Sequence, residues 1–119
     1  MRTVVAIVLV AALQAGCVDS TEREQPCRIA VKSLAAAPEN RAAGELQKVL
    51  RFGRYALPDI EQELQIASVV GRKRLLEALR RLREPESIPF LETVARWDEA
   101  KEVRALASEI ASDLRNATR

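Results

Sequence analysis

The chain contains no histidine among its 119 residues, and it has only two cysteines. Histidine is the commonest general base and the commonest metal ligand in proteins, and a thiolate metal site needs more cysteines than two. The sequence therefore predicts no catalytic residue, no metal site and no cofactor-binding site. We expect a protein that is not an enzyme.

Aromatic side chains make up only 3% of the sequence, and the formal net charge is +2. Proteins that bind single-stranded nucleic acid stack the bases on aromatic rings within a basic groove. Both requirements are poorly met here, so we expect no nucleic-acid partner. The period-two alternation of β-branched residues that marks strands is also missing after the amino-terminal tract, which predicts an all-α fold.

The amino terminus carries the most specific signal. A positive start at Met1 and Arg2 is followed by the uncharged tract Thr3–Leu13 and then by small residues before Cys17. The tract is shorter than the roughly 20 residues that a membrane-spanning helix needs. It has the organisation of a cleaved signal peptide, so residues 1–16 predict export.

The stretch Leu13–Cys17 resembles the lipobox of bacterial lipoproteins. Its last three residues match that pattern, whereas Gln14 stands where lipoproteins usually have leucine. The resemblance implies that Cys17 is lipidated, becomes the mature amino terminus and anchors the chain to a membrane. In a Gram-negative host, Val18 at the next position would imply sorting to the outer membrane. Residues 17–25 are then a polar, acid-rich tether between the anchor and the folded domain.

An alternative uses the second cysteine. A signal peptidase cutting after Ala15 or Gly16 would leave Cys17 and Cys27 free to form a disulfide in an oxidising compartment. The protein would then be secreted or soluble in the periplasm. If Cys17 is lipidated instead, Cys27 is a free thiol packed on a helix.

The remaining residues, 26–119, predict one helical domain. Apolar residues recur at helical spacing over Pro26–Ala36 and Pro38–Phe52, and Gly53 supplies a stop. These two helices, within residues 26–53, would cap the structure. Four further helices are expected at Leu57–Ser68, Val70–Arg83, Ser87–Trp97 and Asp98–Arg115.

The last four helices form an internal repeat, with units at 57–83 and 87–115. Two groups of residues in the first unit have similar residues 31 positions later in the second unit. The first group, Leu57, Pro58, Ile60 and Glu61, corresponds to Ile88, Pro89, Leu91 and Glu92. The second group, Lys73, Leu75, Leu76 and Leu79, corresponds to Arg104, Leu106, Ala107 and Ile110. Each unit is thus a pair of helices. The last helix carries a continuous apolar stripe, formed by Val103, Leu106, Ala107, Ile110 and Leu114.

The segments Glu84–Val94 and Glu102–Ala107 resemble a unit of the HEAT-repeat family, including its lyase-like variety. The resemblance implies a short right-handed stack of antiparallel helix pairs, an α-solenoid fragment of about six helices. A simple helical bundle with a coincidental repeat is the alternative. A role as an accessory protein related to the lyase-like HEAT proteins, which act on bilin chromophores, is a further alternative that export and the lack of histidine oppose.

Six basic residues lie on one predicted helix around the single acid Glu77: Arg72, Lys73, Arg74, Arg80, Arg81 and Arg83. They are candidate partner-binding residues for an acidic protein segment, a lipid head group or an anionic glycan. The alternative is a solubilising face whose arginines pair with acids such as Glu84 and Glu86. Asp98 is predicted to cap the start of the last helix.

Together these features predict an exported, non-enzymatic protein–protein interaction module of the bacterial cell envelope. The membrane anchor on Cys17 would leave the helical domain facing the periplasm. The sequence specifies neither the partner protein nor the oligomeric state.

Overall fold

The computed structural model describes residues 18–117, with the side chains described from Gln25 onward. This range contains six α-helices and no strand, which confirms the predicted all-α fold of about six helices. The predicted signal peptide and Cys17 lie outside the described residues. The helices are α1 Val18–Ala36, α2 Ala42–Leu50, α3 Leu57–Leu64, α4 Val69–Leu82, α5 Ile88–Trp97 and α6 Lys101–Ala117.

Helix α1 begins at Val18, earlier than the predicted start at Pro26. Residues 22–25 are glutamate, arginine and glutamine, which are good helix formers, and they extend the helix toward the amino terminus. Pro26 lies inside the helix, where it removes one backbone hydrogen bond. The backbone of residues 18–25, predicted as a tether, is therefore helical.

Short 3₁₀ turns lead into three of the helices. They cover Glu39–Arg41 before α2, Gly53–Ala56 before α3 and Pro85–Ser87 before α5. Gly53 follows the end of α2 with a φ of 57°, the left-handed conformation in which glycine commonly terminates helices. The predicted stop at Gly53 is confirmed.

The helices pack as the predicted pairs, α3 with α4 and α5 with α6. Helix α4 lies between α1 and α6 and contacts both, while α2 packs against α1 and α4. One apolar core runs through the described residues. Its largest fully buried side chains are Val31, Leu34, Val49, Ile60, Leu75, Leu76, Leu79, Leu91, Val103 and Ile110.

The repeat is retained in three dimensions, but its register changes between the two helices of a unit. Helices α3 and α5 start 31 residues apart, at Leu57 and Ile88, as predicted. Helices α4 and α6 start 32 residues apart, one residue more than the predicted offset of 31. Four buried positions agree at the new offset: Gly71 with Val103, Leu75 with Ala107, Ala78 with Ile110 and Leu79 with Ala111. Buried Leu76 falls opposite exposed Ser108 at this offset and opposite buried Ala107 at the predicted one.

Candidate binding groove and the predicted basic residues

An open groove of about 420 Å³ lies between the first helices of the two pairs, α3 and α5. The amino-terminal turn of α4 contributes to it through Arg72, and the turn after α5 through Asp98 and Glu99. Its apolar lining consists of Leu64, Phe90, Val94 and Trp97, and its polar lining consists of Gln65, Arg72, Thr93, Asp98 and Glu99.

Helix α5 supplies most of the apolar lining of this groove. Phe90, Val94 and Trp97 follow one another at spacings of four and three residues, so they share one side of the helix. Trp97 is 74% exposed, although an indole is among the most apolar side chains. Two smaller apolar side chains are also exposed nearby, Ile66 in the turn between α3 and α4 and Val70 in the first turn of α4. Phe90 and Val94 are half-buried and also pack against the core, so Trp97 is the residue on this side of α5 that projects into solvent.

An ion pair between Arg72 and Asp98 borders the groove. Nε of Arg72 lies 3.0 Å from Oδ2 of Asp98, and a second guanidinium nitrogen donates to Oδ1 at 3.2 Å. Arg72 also donates to the backbone oxygen of Ala67 at 2.7 Å, and Asp98 accepts from the amide of Ala100 at 2.9 Å. Asp98 therefore stabilises the turn before α6 and links this turn to α4. It does not cap the first turn of the last helix as predicted, because α6 begins at Lys101 instead of Asp98.

The predicted partner-binding residues near the start of α4 are engaged within the molecule. Besides Arg72, Lys73 lies 2.9 Å from Glu102, and the Lys73 ammonium lowers the pKa of that carboxyl group. Arg74 pairs with Glu39 at 3.2 Å and donates to the backbone oxygens of Leu34 and Ala37. These three side chains hold α4 against its neighbours.

The three basic residues near the end of α4 differ among themselves. Arg80 pairs with Glu77 at 3.2 Å and with Glu109 at 3.5 Å. Arg81 and Arg83 are exposed and make no hydrogen bond or ion pair with the described residues. A helix turns about 100° per residue, so the six basic residues spread over roughly 200° of the circumference instead of forming one narrow strip. Partner binding by the six residues stays a prediction.

Cys27 is buried in α1 beside the turn that precedes α3. Its side chain is 2% exposed, and its Sγ lies 3.9 Å from the backbone oxygen of Tyr55. Burial, reinforced by the nearby Asp59 carboxylate, raises the pKa of Cys27 from 9.0 to about 12. The thiol is therefore protonated and shielded, which makes it a poor partner for disulfide exchange.

Among the described side chains, residues 25–117, no cluster of acidic or cysteine side chains has the arrangement of a metal site. No helix within residues 18–117 combines the length and the apolar character needed to cross a membrane. Comparisons of the chain with protein-family models, with curated proteins and with solved structures gave no match.

The sequence analysis missed the groove, although the sequence contains a signal for it. Helix α5 carries two apolar stripes. Ile88, Leu91 and Ala95 pack on the core, while Phe90, Val94 and Trp97 line the groove, the first two of them also packing against the edge of the core. An amphipathic helix that serves only the core needs one stripe. The second stripe is the pattern that indicates a surface beyond the core.

Proposed function

We propose that this chain is an exported, lipid-anchored, non-enzymatic module that binds another protein through the groove between α3 and α5. The observation that carries the proposal is the exposed ring of Trp97 beside Phe90 and Val94. Exposed tryptophans in shallow apolar clefts are over-represented among the residues that dominate protein interfaces. The two helix pairs act as a rigid support for this surface, in the manner of diverged HEAT-like repeats.

The state of Cys27 supports the lipid anchor over the disulfide alternative. A disulfide requires Cα atoms no more than about 7 Å apart. Helix α1 separates Val18 from Cys27 by nine residues, or roughly 13 Å at 1.5 Å per residue. Pairing of Cys17 with Cys27 would unwind α1 and extract the Cys27 thiol from the core. The geometry of α1 thus disfavours a disulfide at Cys27, which supports lipidation of Cys17 over the alternative.

Metabolic labelling tests the anchor. Cells that express the full chain are fed a clickable fatty acid, and the wild type is compared with Cys17→Ser and Cys27→Ser. We expect label on the wild type and on Cys27→Ser, and no label on Cys17→Ser. An unlabelled wild type whose mass shows a disulfide would overturn the anchor and support the soluble periplasmic form.

Site-specific photocrosslinking tests the groove. A photoreactive amino acid is placed at Thr93, which lines the groove, or at Ser112, which is exposed on α6. We expect one discrete adduct from position 93, lost in the Trp97→Ala background, and none from position 112. The captured protein is then purified and titrated against the variants.

The titration decides whether the groove is the binding site. Truncation of an interface tryptophan typically costs at least 2 kcal/mol, so Trp97→Ala should weaken binding by roughly 30-fold or more. Ile29→Ala, which removes an exposed apolar side chain on α1, is the matched control and should leave affinity unchanged. Equal affinities for wild type and Trp97→Ala would reject the groove as the binding site.

A further inference from the structure

The carboxyl end of α4 and the early turns of α1 lie at the same end of the fold. Arg54, in the turn before α3, pairs with Glu86, in the turn after α4, at 2.8 Å. Cys27 of α1 contacts Tyr55 of the same turn. We call this region the anchor end: residues 26–28 of α1, residues 51–56, and residues 81–87.

The anchor end combines an exposed aromatic side chain with unpaired positive charge. Tyr55 is 78% exposed, and it lines a depression of about 1010 Å³ together with Arg51. Arg51, Arg81 and Arg83 are exposed and make no ion pair with the described residues. Within the anchor end they outnumber Glu84, since Glu86 is already paired with Arg54. Three further acids, Asp19, Glu22 and Glu24, precede this end in the sequence of α1.

We propose that the anchor end docks on an anionic phospholipid surface, with Tyr55 at the level of the head groups and Arg51, Arg81 and Arg83 against the phosphates. Tyrosine is enriched at this depth of a bilayer, and basic side chains near an anionic leaflet are attracted to it. This inference rests on the proposed anchor, because Cys17 precedes α1 by one residue. From Val18 to Cys27 the helix rises roughly 13 Å, so docking requires α1 to lie obliquely on the membrane.

In this orientation the anchor end binds the membrane, and the groove is left for a partner protein. Trp97 closes α5 at the end where α4 begins, and the pair Arg72 and Asp98 lies at that end too. Helix α5 rises roughly 14 Å from Ile88, which directly follows the anchor end, to Trp97, whereas Phe90 lies in its first turn. With the anchor end on the membrane, the Trp97 end of the groove is the farther one and is open to a partner protein.

Depth-dependent fluorescence quenching tests the docking. The chain has a single tryptophan, Trp97, so the double variant Tyr55→Trp, Trp97→Phe moves the fluorophore to the anchor end. The full chain, processed by the cells that export it, is reconstituted into phosphatidylcholine vesicles with or without phosphatidylglycerol and with brominated acyl chains. We expect strong quenching at position 55 that requires phosphatidylglycerol, and little quenching of Trp97 in the wild type.

Charge-neutralising variants separate docking from simple tethering. A basic residue near an anionic leaflet contributes about fivefold to partitioning, so Arg51→Gln with Arg81→Gln should reduce the docked population roughly 25-fold. Arg96→Gln with Lys101→Gln removes the same charge from exposed positions near Trp97 and should change nothing. Added salt should act like the first pair of variants.

Equal quenching at positions 55 and 97, or quenching at 55 that ignores phosphatidylglycerol, would overturn the proposal. Lipidation of Cys17 is measured separately, from the intact mass of the protein in the same preparation. If Cys17 carries no lipid, cosedimentation with the same vesicles replaces reconstitution, and dependence on Arg51 and Arg81 is still expected. Failure of the anchor and failure of the docking surface are thus distinguishable.

Discussion

Arg72 and Asp98 form a two-point ion pair that joins the second helix of one pair to the turn inside the next pair. The side chains are only 17% and 12% exposed, and each also contacts the backbone of a turn, Arg72 at Ala67 and Asp98 at Ala100. The pair therefore couples the two turns that flank the groove. Charge-assisted hydrogen bonds with little solvent access are stronger than surface ion pairs.

Asp98→Ala should lower the free energy of unfolding by about 2–3 kcal/mol. It removes the hydrogen bond that the amide of Ala100 donates and leaves the Arg72 guanidinium largely buried without its carboxylate. Asp98→Asn keeps an oxygen that accepts from the amide of Ala100, so it should cost about half as much. Urea denaturation of the three proteins measures both values.

The pair between Lys73 and Glu102 is the control for this prediction. It also connects α4 with α6, but both of its side chains are well exposed. Exposed ion pairs contribute at most about 1 kcal/mol, and many contribute nothing measurable. Lys73→Ala should therefore cost less than Asp98→Asn. A larger effect of Lys73→Ala would show that burial does not determine the strength of these contacts.

Trp97 should report its exposure directly in fluorescence. Its ring is mostly in solvent and is the only indole of the chain, so the emission maximum of the folded protein should lie close to that of the unfolded protein. Acrylamide should quench it efficiently in the native state. Trp97→Ala should change the free energy of unfolding by no more than about 0.5 kcal/mol, the usual range for surface substitutions. A blue-shifted native emission would place the ring in a closed site.

The helices were predictable because helix formation depends mainly on the local sequence. The spacing of apolar residues and the prolines near the starts of α3 and α5 are present in the sequence, and both pairs formed where expected. The one-residue shift between α4 and α6 depends on how the intervening turns pack, which a sequence repeat does not encode. Comparing buried positions, such as Gly71 and Val103, requires the structure.

The candidate site was less predictable, for two physical reasons. Six basic residues on one helix suggested a single surface, but pairing depends on distant acids such as Glu39 and Asp98 that only the fold brings near. The groove depends on a gap between α3 and α5, and no local pattern specifies a gap. Its one local trace was the second apolar stripe, which ends at Trp97.

Cys27 should make the protein less stable at alkaline pH. The unfolded thiol ionises near pH 9.0, whereas the folded thiol keeps its proton to about pH 12. The unfolded state thus loses a proton first, so the free energy of unfolding decreases as pH rises from about 9 toward 12, at up to about 1.4 kcal/mol per pH unit. Below pH 9 this contribution is constant.

Urea denaturation at about pH 8 and about pH 11 measures the effect, in a Cys17→Ser background where Cys27 is the only thiol. The pH profile of Cys27→Ala in the same background measures the effect of tyrosine and lysine titration on stability, which is then subtracted. We expect a steeper loss of stability with Cys27 present, together with slow reaction of the native thiol with disulfide reagents. Parallel pH profiles for the two proteins would contradict the burial of this thiol.

Gly71 and Gly44 should respond in opposite directions to the same substitution. Both lie within helices, where alanine is favoured over glycine by roughly 0.5–1 kcal/mol. A Cβ at Gly44 would meet no atom within 4 Å, so Gly44→Ala should stabilise the protein by about that amount.

At Gly71 a Cβ would lie 2.8 Å from the backbone oxygen of Ala35, where α4 crosses α1. Neither helix backbone can yield as a flexible side chain would, so Gly71→Ala should destabilise the protein by roughly 1–3 kcal/mol despite the gain in helix propensity. Thermal denaturation of both variants, checked for unchanged helix content by circular dichroism, measures the two effects. If Gly71→Ala were as stable as Gly44→Ala, the close contact between α1 and α4 would not exist in solution, and the placement of α1 against the repeat would have to be revised.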